Sequence, residues 1–491
     1  MATRLDRRSF IGASLAAGTA LSLTSTRVFA ATKALGPNDQ IGVGMIGAGG
    51  RAGELLGTAM KVPGVKVLAV ADPDSKRAEA MAKKCGAVAH QDLRKLLDDP
   101  NIHAVFIATC NHWHCLAAIW AMEAGKDVYV EKPLSHTQWE GRQVVNAARK
   151  YNRIVQVGTQ QRSDPMQAEL KRFLHEDKSL GPIQYVQANR LGLRGSIGKQ
   201  PNSLTIPKEV NYDIWLGPAE DQPIHRKAFH YDWHWSFNTG NGEMGNWGVH
   251  VLDDVRNVAY QDSVSLPSGV VAIGGRVAWN DAGDTPNVHY AVFETDSFPT
   301  LIALSNLAGG KELKGSWDSK AGRPVSGPGS GYVVACEGGY LLGQRQSAKA
   351  VDRDGKTIRT FKGGDIVRLH IENFFAAMRT RDRESLQAEA QIGHDSTGWC
   401  NLANVGYQTA SSFDAEQVKA AGAKIEAWPK LMEELETQLR PLNVKVEELM
   451  VSPRLSHDAK TEQFVGDHAE VANKFLKRTS YRKGYEVPEV G

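Results

Sequence analysis

From residue 40 to about residue 158, short apolar runs rich in β-branched residues alternate with amphipathic stretches. The runs at 41–46, 65–71, 104–108, 127–130 and 154–157 have the length of strands buried on both faces. Each but the last leads into a stretch of helical spacing, so the pattern predicts a doubly wound parallel sheet. Beyond Thr159 the texture changes. A helix near 165–175 precedes longer strand-like runs at 183–191, 269–279, 288–294, 300–307 and 332–335. These predict a mostly antiparallel open sheet with one face solvated or packed on a partner. Helices are expected over 365–379, from near Ala388, and over 428–439. Between the strands, residues 201–248 form a long Trp-, Gly- and Pro-rich region with little periodicity, and such segments inside compact domains are usually functional. The expected class is α/β, with a nucleotide-type domain over 40–160, a C-terminal α/β domain over 161–410 and a helical extension over 411–491.

A chain of 491 residues accommodates two such domains. Its 42% hydrophobic and 23% charged residues are those of a globular protein. The first thirty residues read differently. Arg7-Arg8-Ser9-Phe10-Ile11 precedes a modest apolar run that ends in Val28-Phe29-Ala30, which resembles a twin-arginine export signal cleaved after Ala30. A soluble, disordered N-terminus is the alternative. The apolar run at 11–23 is too short and too rich in Gly and Ser to span about 30 Å of hydrocarbon, so no stable membrane anchor is expected. The expected location is periplasmic or otherwise exported. These thirty residues carry four Arg and one Asp, which accounts for the whole formal charge of +3. The remainder is formally neutral, and no basic patch argues for nucleic acid. Five cysteines lack paired or zinc-type spacing and read as buried thiols, not a disulfide framework.

The first apolar run passes directly into Gly47-Ala48-Gly49-Gly50-Arg51-Ala52. In a dinucleotide site of the Rossmann type, Gly47 makes the tight turn, Gly49 lets backbone approach a pyrophosphate, and Ala52 allows close packing of helix on strand. Asp72, at the end of the second run, falls where a carboxylate accepts bonds from an adenosine ribose and repels a ribose phosphate. NAD is therefore favoured over NADP. Glu131-Lys132-Pro133 follows the fourth run, at the sheet edge where ligands bind. A lysine there can stabilise the alkoxide that forms as hydride leaves; otherwise it is a surface residue in a turn. Thr109-Cys110-Asn111-His112-Trp113-His114 reaches the same edge, with Asn111 and His114 as nicotinamide-ribose contacts or merely a helix N-cap and first turn.

Asn246 to Asp253 opens an apparent helix. Near a helix N-terminus the dipole disfavours imidazolium, which would keep His250 neutral and able to accept a proton. Arg256, one turn on, pairs with Asp253 as structure. An extended His230-Tyr231-Asp232-Trp233-His234-Trp235 would put His230, Asp232 and His234 on one side and three aromatics on the other. The aromatic side suits stacking on sugar C–H faces, and the polar side suits a metal. Plain packing of a loop is the third reading, and no metal is expected.

These residues together resemble the Gfo/Idh/MocA oxidoreductases, named for glucose-fructose oxidoreductase and inositol dehydrogenase, and above all the exported bacterial branch. The resemblance rests on the glycine turn, Asp72, the Asn111/His114 motif, Glu131-Lys132-Pro133, and the segment from Gly158 to Arg162. It extends to Trp215-Leu216-Gly217-Pro218, Trp233 to Gly242, His250 with Asp253 and Arg256, and Thr461-Glu462-Gln463-Phe464. It implies a Rossmann domain followed by an α/β domain whose open sheet often forms an oligomer interface, hence a homo-oligomer. It also implies that Lys132 and His250 are catalytic, with His250 as general base. Gly47, Gly49, Gly50, Arg51, Asp72, Thr109, Asn111, His114, Glu131 and Lys132 then hold the cofactor, and Arg162, Tyr231, Trp233, His234, Asn246 and Asp253 the substrate. Two residues depart from the family: Asn246 stands where many members carry Asp, and Cys110 where Pro is common. The implied function is NAD-dependent oxidation of a sugar or glycoside hydroxyl. Export would require tightly bound NAD, because no free pool is expected outside the cytoplasm. The alternatives are a redox-neutral NAD-dependent glycoside hydrolase and a carbohydrate-binding protein without turnover.

Overall fold

The computed structural model describes residues 39–308 and 327–491; the expected export segment lies outside them. Strand β1 (Ile41–Ile46) is buried at every position and hydrogen-bonded on both sides. Helix α1 (Gly50–Ala59), β2 (Val65–Ala71), α2 (Ser75–Cys85) and β3 (Val88–His90) follow. The Asp74 carboxylate caps α2 by accepting from the N–H groups of Lys76 and Arg77, and Gly86 ends it in the left-handed region at φ 64°. Then come α3 (Leu93–Leu97), β4 (Ala104–Ile107), α4 (Asn111–Glu123), β5 (Asp127–Val130), α5 (Gln138–Lys150) and β6 (Val155–Val157). The six strands are parallel in the order β3-β2-β1-β4-β5-β6, the doubly wound Rossmann arrangement. Its strand order reverses between β1 and β4, and a crevice opens there at the carboxyl edge.

A second, mixed sheet forms the rest. It begins after α6 (Pro165–Lys171) with β7 (Ile183–Leu191) and, beyond α7 (Tyr212–Leu216) and α8 (Val249–Val258), continues with β8 (Gly269–Gly275), β9 (Val288–Glu294) and β10 (Thr300–Ser305). The hairpin strands β11 (Ser330–Cys336), β12 (Gly339–Gln344), β13 (Ser347–Asp352) and β14 (Thr357–Lys362) extend one side. Strands run β14-β13-β12-β11-β7-β10-β9-β8, antiparallel except for the parallel pair β7 and β10. The long helices α9 (Ile366–Thr380) and α10 (Ala390–Gln408) follow, and α8 and α10 bury one face of this sheet.

The tail departs from the helical extension expected of it. After β15 (Ser411–Ser412), α11 (Ala415–Ala421) and α12 (Trp428–Leu439), three short strands form: β16 (Met450–Val451), β17 (Leu455–Asp458) and β18 (Gln463–Val465). Both β16 and β17 hydrogen-bond to β8, so the tail completes the second sheet. The open face expected on that sheet is corrected as well. Trp428, Leu431, Leu435 and Leu439 of α12 pack on Val271, Ile273, Tyr290 and Leu301, so the chain covers this face itself. The surface on which a sheet-mediated oligomer would rest is thereby occupied. Farther on, Tyr485, Val487 and Val490 enter the core of the Rossmann domain. Gln143 accepts from the Val490 N–H at 2.8 Å. Leu435→Ala is expected to cost about 2–5 kcal/mol, read as a lower urea midpoint; an unchanged midpoint would mean α12 is peripheral.

All five cysteines are free thiols, but Cys85 and Cys110 are only half-buried, contrary to the expectation of uniform burial. Among the described residues no helix is long and apolar enough to cross a membrane.

Candidate active site

At the carboxyl end of β1 the chain turns at Gly47, whose φ of 92° is left-handed and whose Cβ would meet the Ala108 carbonyl at 2.6 Å. Glycine is therefore required there. Gly49 precedes α1, and no side chain caps the first N–H groups of that helix. A Cβ on Gly49 would find only an Arg77 nitrogen at 4.0 Å, and on Gly50 nothing. The helix start thus faces open space with free donors, a fit for a pyrophosphate. The Asp72 carboxylate accepts from the Ala48 N–H at 2.6 Å and the Asp74 N–H at 2.9 Å. Burial pushes its pKa up while those bonds pull it down. Its remaining lone pairs face the cleft, where a ribose hydroxyl can donate to them.

This cleft, about 460 Å³, gathers most of the residues singled out by sequence. Gly47, Gly49, Gly50, Arg51 and Asp72 line one part. Thr109, Asn111, His114, Glu131 and Lys132 line the sheet edge, and Tyr231, Trp233, His234 and Asn246 come from the second domain. Arg51 Nε donates to Glu131 at 2.7 Å, and Gln160 Nε2 donates to the same oxygen at 3.1 Å. Arg51 also leaves Nη2 buried without a hydrogen-bond partner, a donor available to a bound group. Asn111 Nδ2 donates to Asn241 Oδ1 at 3.0 Å, and His114 Nδ1 lies 2.6 Å from the Pro133 carbonyl.

Lys132 is the chemical centre of this wall. Its Nζ donates to the Asn246 carbonyl at 2.8 Å and to Asn246 Oδ1 at 3.2 Å. Asn246 Nδ2 in turn donates to Glu243 at 3.1 Å, which turns the amide oxygen toward the lysine. Burial lowers the lysine pKa to about 8, against the raising effect of Glu131. Asn246 belongs to a single π-helical turn, Met244–Gly248, directly ahead of α8. Such turns free backbone carbonyls from regular pairing and recur at functional sites.

His250 does not stand at a helix start. The chain is helical from residue 242, so His250 lies two turns in, beyond the reach of the N-terminal dipole. Its neutrality has another cause: burial, reinforced by Arg345, Lys132, Arg51 and Arg190, holds its pKa well below the ordinary histidine value. Among the described residues its ring nitrogens make no hydrogen bond, and its one ring neighbour is Trp247, 5.6 Å between centroids.

Three residues expected at the reacting centre do not line the cleft: His250, buried one turn beyond the lining residue Asn246, and two that are engaged elsewhere. Arg162 and Asp253 form a buried ion pair at 2.7 Å, and Arg162 also holds Asp262 at 2.7 Å. Ser396 Oγ donates to Asp253 at 2.6 Å, and neither charged group lines the cleft. These ion pairs fix α8 against its neighbours and lie away from the cleft lining, although Asp253 Oδ2 remains buried without a hydrogen-bond partner. Arg256 does not pair with Asp253 either; it reaches Asp395 at 3.3 Å and Asp262 at 3.4 Å.

The segment 230–235 is not extended. Tyr231 takes φ 66° and Asp232–Trp235 form a 3-10 turn, so the expected alternation of faces does not arise. His230 instead reaches across to Asp74 at 3.0 Å, and His234 stacks on Trp233 with centroids 3.6 Å apart. Among the described residues no cluster of His, Cys, Asp and Glu could hold a metal ion. Sequence reasoning missed Glu243, whose fully buried carboxylate holds Arg190 at 2.8 Å and Arg194 at 3.2 Å. A glutamate in an aperiodic Gly-rich stretch carries no signal of such partners.

Comparison with known proteins adds the following. A family profile described as an oxidoreductase family with an NAD-binding Rossmann fold, GFO_IDH_MocA, matches residues 41–159. The profile of its C-terminal alpha/beta domain matches residues 195–283. The chain is 37% identical over 287 residues to a levoglucosan dehydrogenase of Pseudarthrobacter phenanthrenivorans, covering 55% of this chain and 66% of that protein. It is 37% identical over 125 residues to a scyllo-inositol 2-dehydrogenase (NAD(+)) of Bacillus subtilis, covering 25% and 36%. The matches thus span between about a third and two thirds of these relatives' lengths. Among solved structures, the WlbA dehydrogenase of Bordetella pertussis, in complex with NADH and UDP-GlcNAcA, shares the fold at TM-score 0.53 and 17% identity, covering 73% of this chain and 94% of that one.

Proposed function

Since the chain belongs to the Gfo/Idh/MocA oxidoreductase family and carries its NAD-binding Rossmann domain, we propose that it oxidises a hydroxyl group of a sugar, polyol or glycoside in the cleft around Lys132. NAD, when bound, supplies the hydride acceptor. The observation that carries the reading is the Lys132 ammonium, fixed by both oxygens of Asn246 at the carboxyl edge of the sheet. With a pKa near 8, Lys132 is charged at neutral pH and donates to the reacting oxygen, stabilising the alkoxide as the C–H bond is spent. His250, neutral, without a hydrogen-bond partner among the described residues and buried one turn beyond the cleft residue Asn246, is the base this reading assigns to the hydroxyl proton. Asn246 has no proton to exchange; it orients the lysine. Gly49, Gly50 and Arg51 hold the pyrophosphate side, and Asp72 holds the adenosine ribose.

Asp72→Ala is expected to weaken NAD binding about 10- to 100-fold, the worth of hydrogen bonds to a charged acceptor, and to erase preference over NADP. Fluorescence titration with both nucleotides reads this, and unchanged selectivity would remove Asp72 from the cofactor site.

The twin-arginine pattern supports a finer reading: the protein is exported folded with NAD already bound, and the nucleotide stays resident. Purified protein is tested by denaturing it, identifying any released nucleotide, and then assaying the native enzyme on sugars, polyols and glycosides for oxidised product and NADH together. The reading predicts NADH in step with oxidised product. Sugar released from glycosides without net NADH would replace it with a redox-neutral hydrolase, and binding without any conversion would replace it with a lectin-like role.

A further inference from the structure

Behind the cleft residue Asn246, and outside the lining itself, stands a group of cations that acts on Lys132 and His250. Trp247, next to Asn246 on the π turn, lies between two guanidinium groups, Arg190 at 4.1 Å and Arg345 at 4.5 Å from its ring. Arg190 and Arg194 share the single carboxylate of Glu243, and Arg194 Nη1 also donates to the hydroxyl of the cleft residue Tyr231 at 3.1 Å. Arg51 is matched by Glu131 and Glu54. Lys132 has only neutral oxygens as hydrogen-bond partners.

Arg345 is the least compensated of these cations. It stands between β12 and β13, and its Nε donates to the amide oxygen of Gln161 at 3.0 Å. Among the described residues it forms no ion pair, and the carboxylates of Asp254, Glu131 and Glu54 act on it only through space. The acid behind Gln161, Asp254, is fully buried and bonded to Gln161 and Gln167, so it acts on Arg345 through space and leaves the guanidinium fork unbonded. Its remaining guanidinium N–H groups make no hydrogen bond within the described protein, and the hairpin tip that carries them is exposed. A guanidinium stem laid on an indole face, with its fork unspent, is preorganised for bidentate pairing with an oxyanion. Exposed at the hairpin tip, this fork is hydrated when free and can exchange that water for an oxyanion held against the indole face.

We infer that the substrate of this cleft carries an anionic group, a carboxylate or a phosphate, and that Arg345 receives it over the Trp247 ring while Lys132 addresses the reacting hydroxyl. The inference rests on the oxidoreductase reading but concerns recognition, and it can fail separately. It makes Arg345 a specificity residue outside the chemistry of hydride transfer.

The test is equilibrium binding to the full chain loaded with NADH, by calorimetry, of three probes with one pyranose frame: glucose, glucuronate and glucose 6-phosphate. The wild type should bind at least one acidic probe about 10- to 100-fold more tightly than glucose, the worth of a hydrogen bond to a charged group, and the gap should shrink with added salt. Whichever acidic probe binds identifies carboxylate or phosphate as the source of the charge. Arg345→Gln should abolish the gap, and Arg345→Lys should restore part of it. Equal binding of charged and neutral probes, or a gap that survives in Arg345→Gln, overturns the inference. Acid-selective binding that depends on Arg345 but yields no NADH would instead refute the oxidoreductase reading and leave this one standing.

Discussion

Lys132→Ala is expected to lower turnover by about 10³-fold, at the upper end of what one preorganised donor to a developing oxyanion contributes, while NAD affinity changes little. The separation follows from placement: the pyrophosphate side is built by Gly49, Gly50 and the start of α1, none of which leans on the lysine. The pH profile gives an independent reading. Because burial brings the Lys132 pKa down to about 8, the ammonium is present below that value and lost above it, so turnover should fall as pH rises through about 8. His250 stays neutral well below the ordinary histidine range, so no acidic limb from imidazole protonation is expected near pH 6.5. Lys132→Arg keeps the charge yet cannot be deprotonated in this range. Whatever activity that variant retains should therefore lose the alkaline limb. A Lys132→Ala enzyme with undiminished turnover would remove the lysine from the reaction.

The second large effect is on stability. Arg162→Ala is expected to cost about 3–5 kcal/mol, because it leaves the buried Asp253 without its cation and Asp262 with only Arg256, at 3.4 Å. Urea unfolding should show a lower midpoint with the slope preserved. The folded fraction should keep its affinity for sugar, since neither Arg162 nor Asp253 lines the cleft. A raised KM at unchanged stability would return Arg162 to the substrate. The pairing also explains how the sequence misleads: an Arg beside a Gln-rich turn and an Asp one turn after a candidate base look alike whether they meet substrate or each other.

What sequence reveals here tracks how locally each feature is determined. Strands β1, β7 and β9 and helix α12 fall where their apolar runs predict, because burial of a whole strand or of one helix face is written in consecutive residues. β3 is only three residues long and incompletely buried, and β14 exposes nearly all its side chains, so neither stands out from a loop. β16 and β17 are strands only because β8 offers them an edge some 180 residues earlier in the chain, a pairing no window reveals. In the cleft, the glycine turn and Asp72 are legible as a spaced motif. The turn at Tyr231, the π-helical turn under Asn246 and the buried Glu243 are not, because each is tied to partners far away in sequence: Arg194, Lys132 and Arg190. His250 shows a right expectation reached by a wrong cause: its neutrality comes from neighbouring cations and burial, not from a helix end.

The central claim, hydride transfer over Lys132, is tested most directly by a single-turnover experiment with NAD-loaded protein and a substrate deuterated at the carbinol carbon. Mass spectrometry of the nucleotide released on denaturation should find deuterium on the nicotinamide ring in the wild type, accumulating about 10³-fold more slowly in Lys132→Ala. Substrate conversion in which no deuterium ever reaches the nicotinamide would contradict the account.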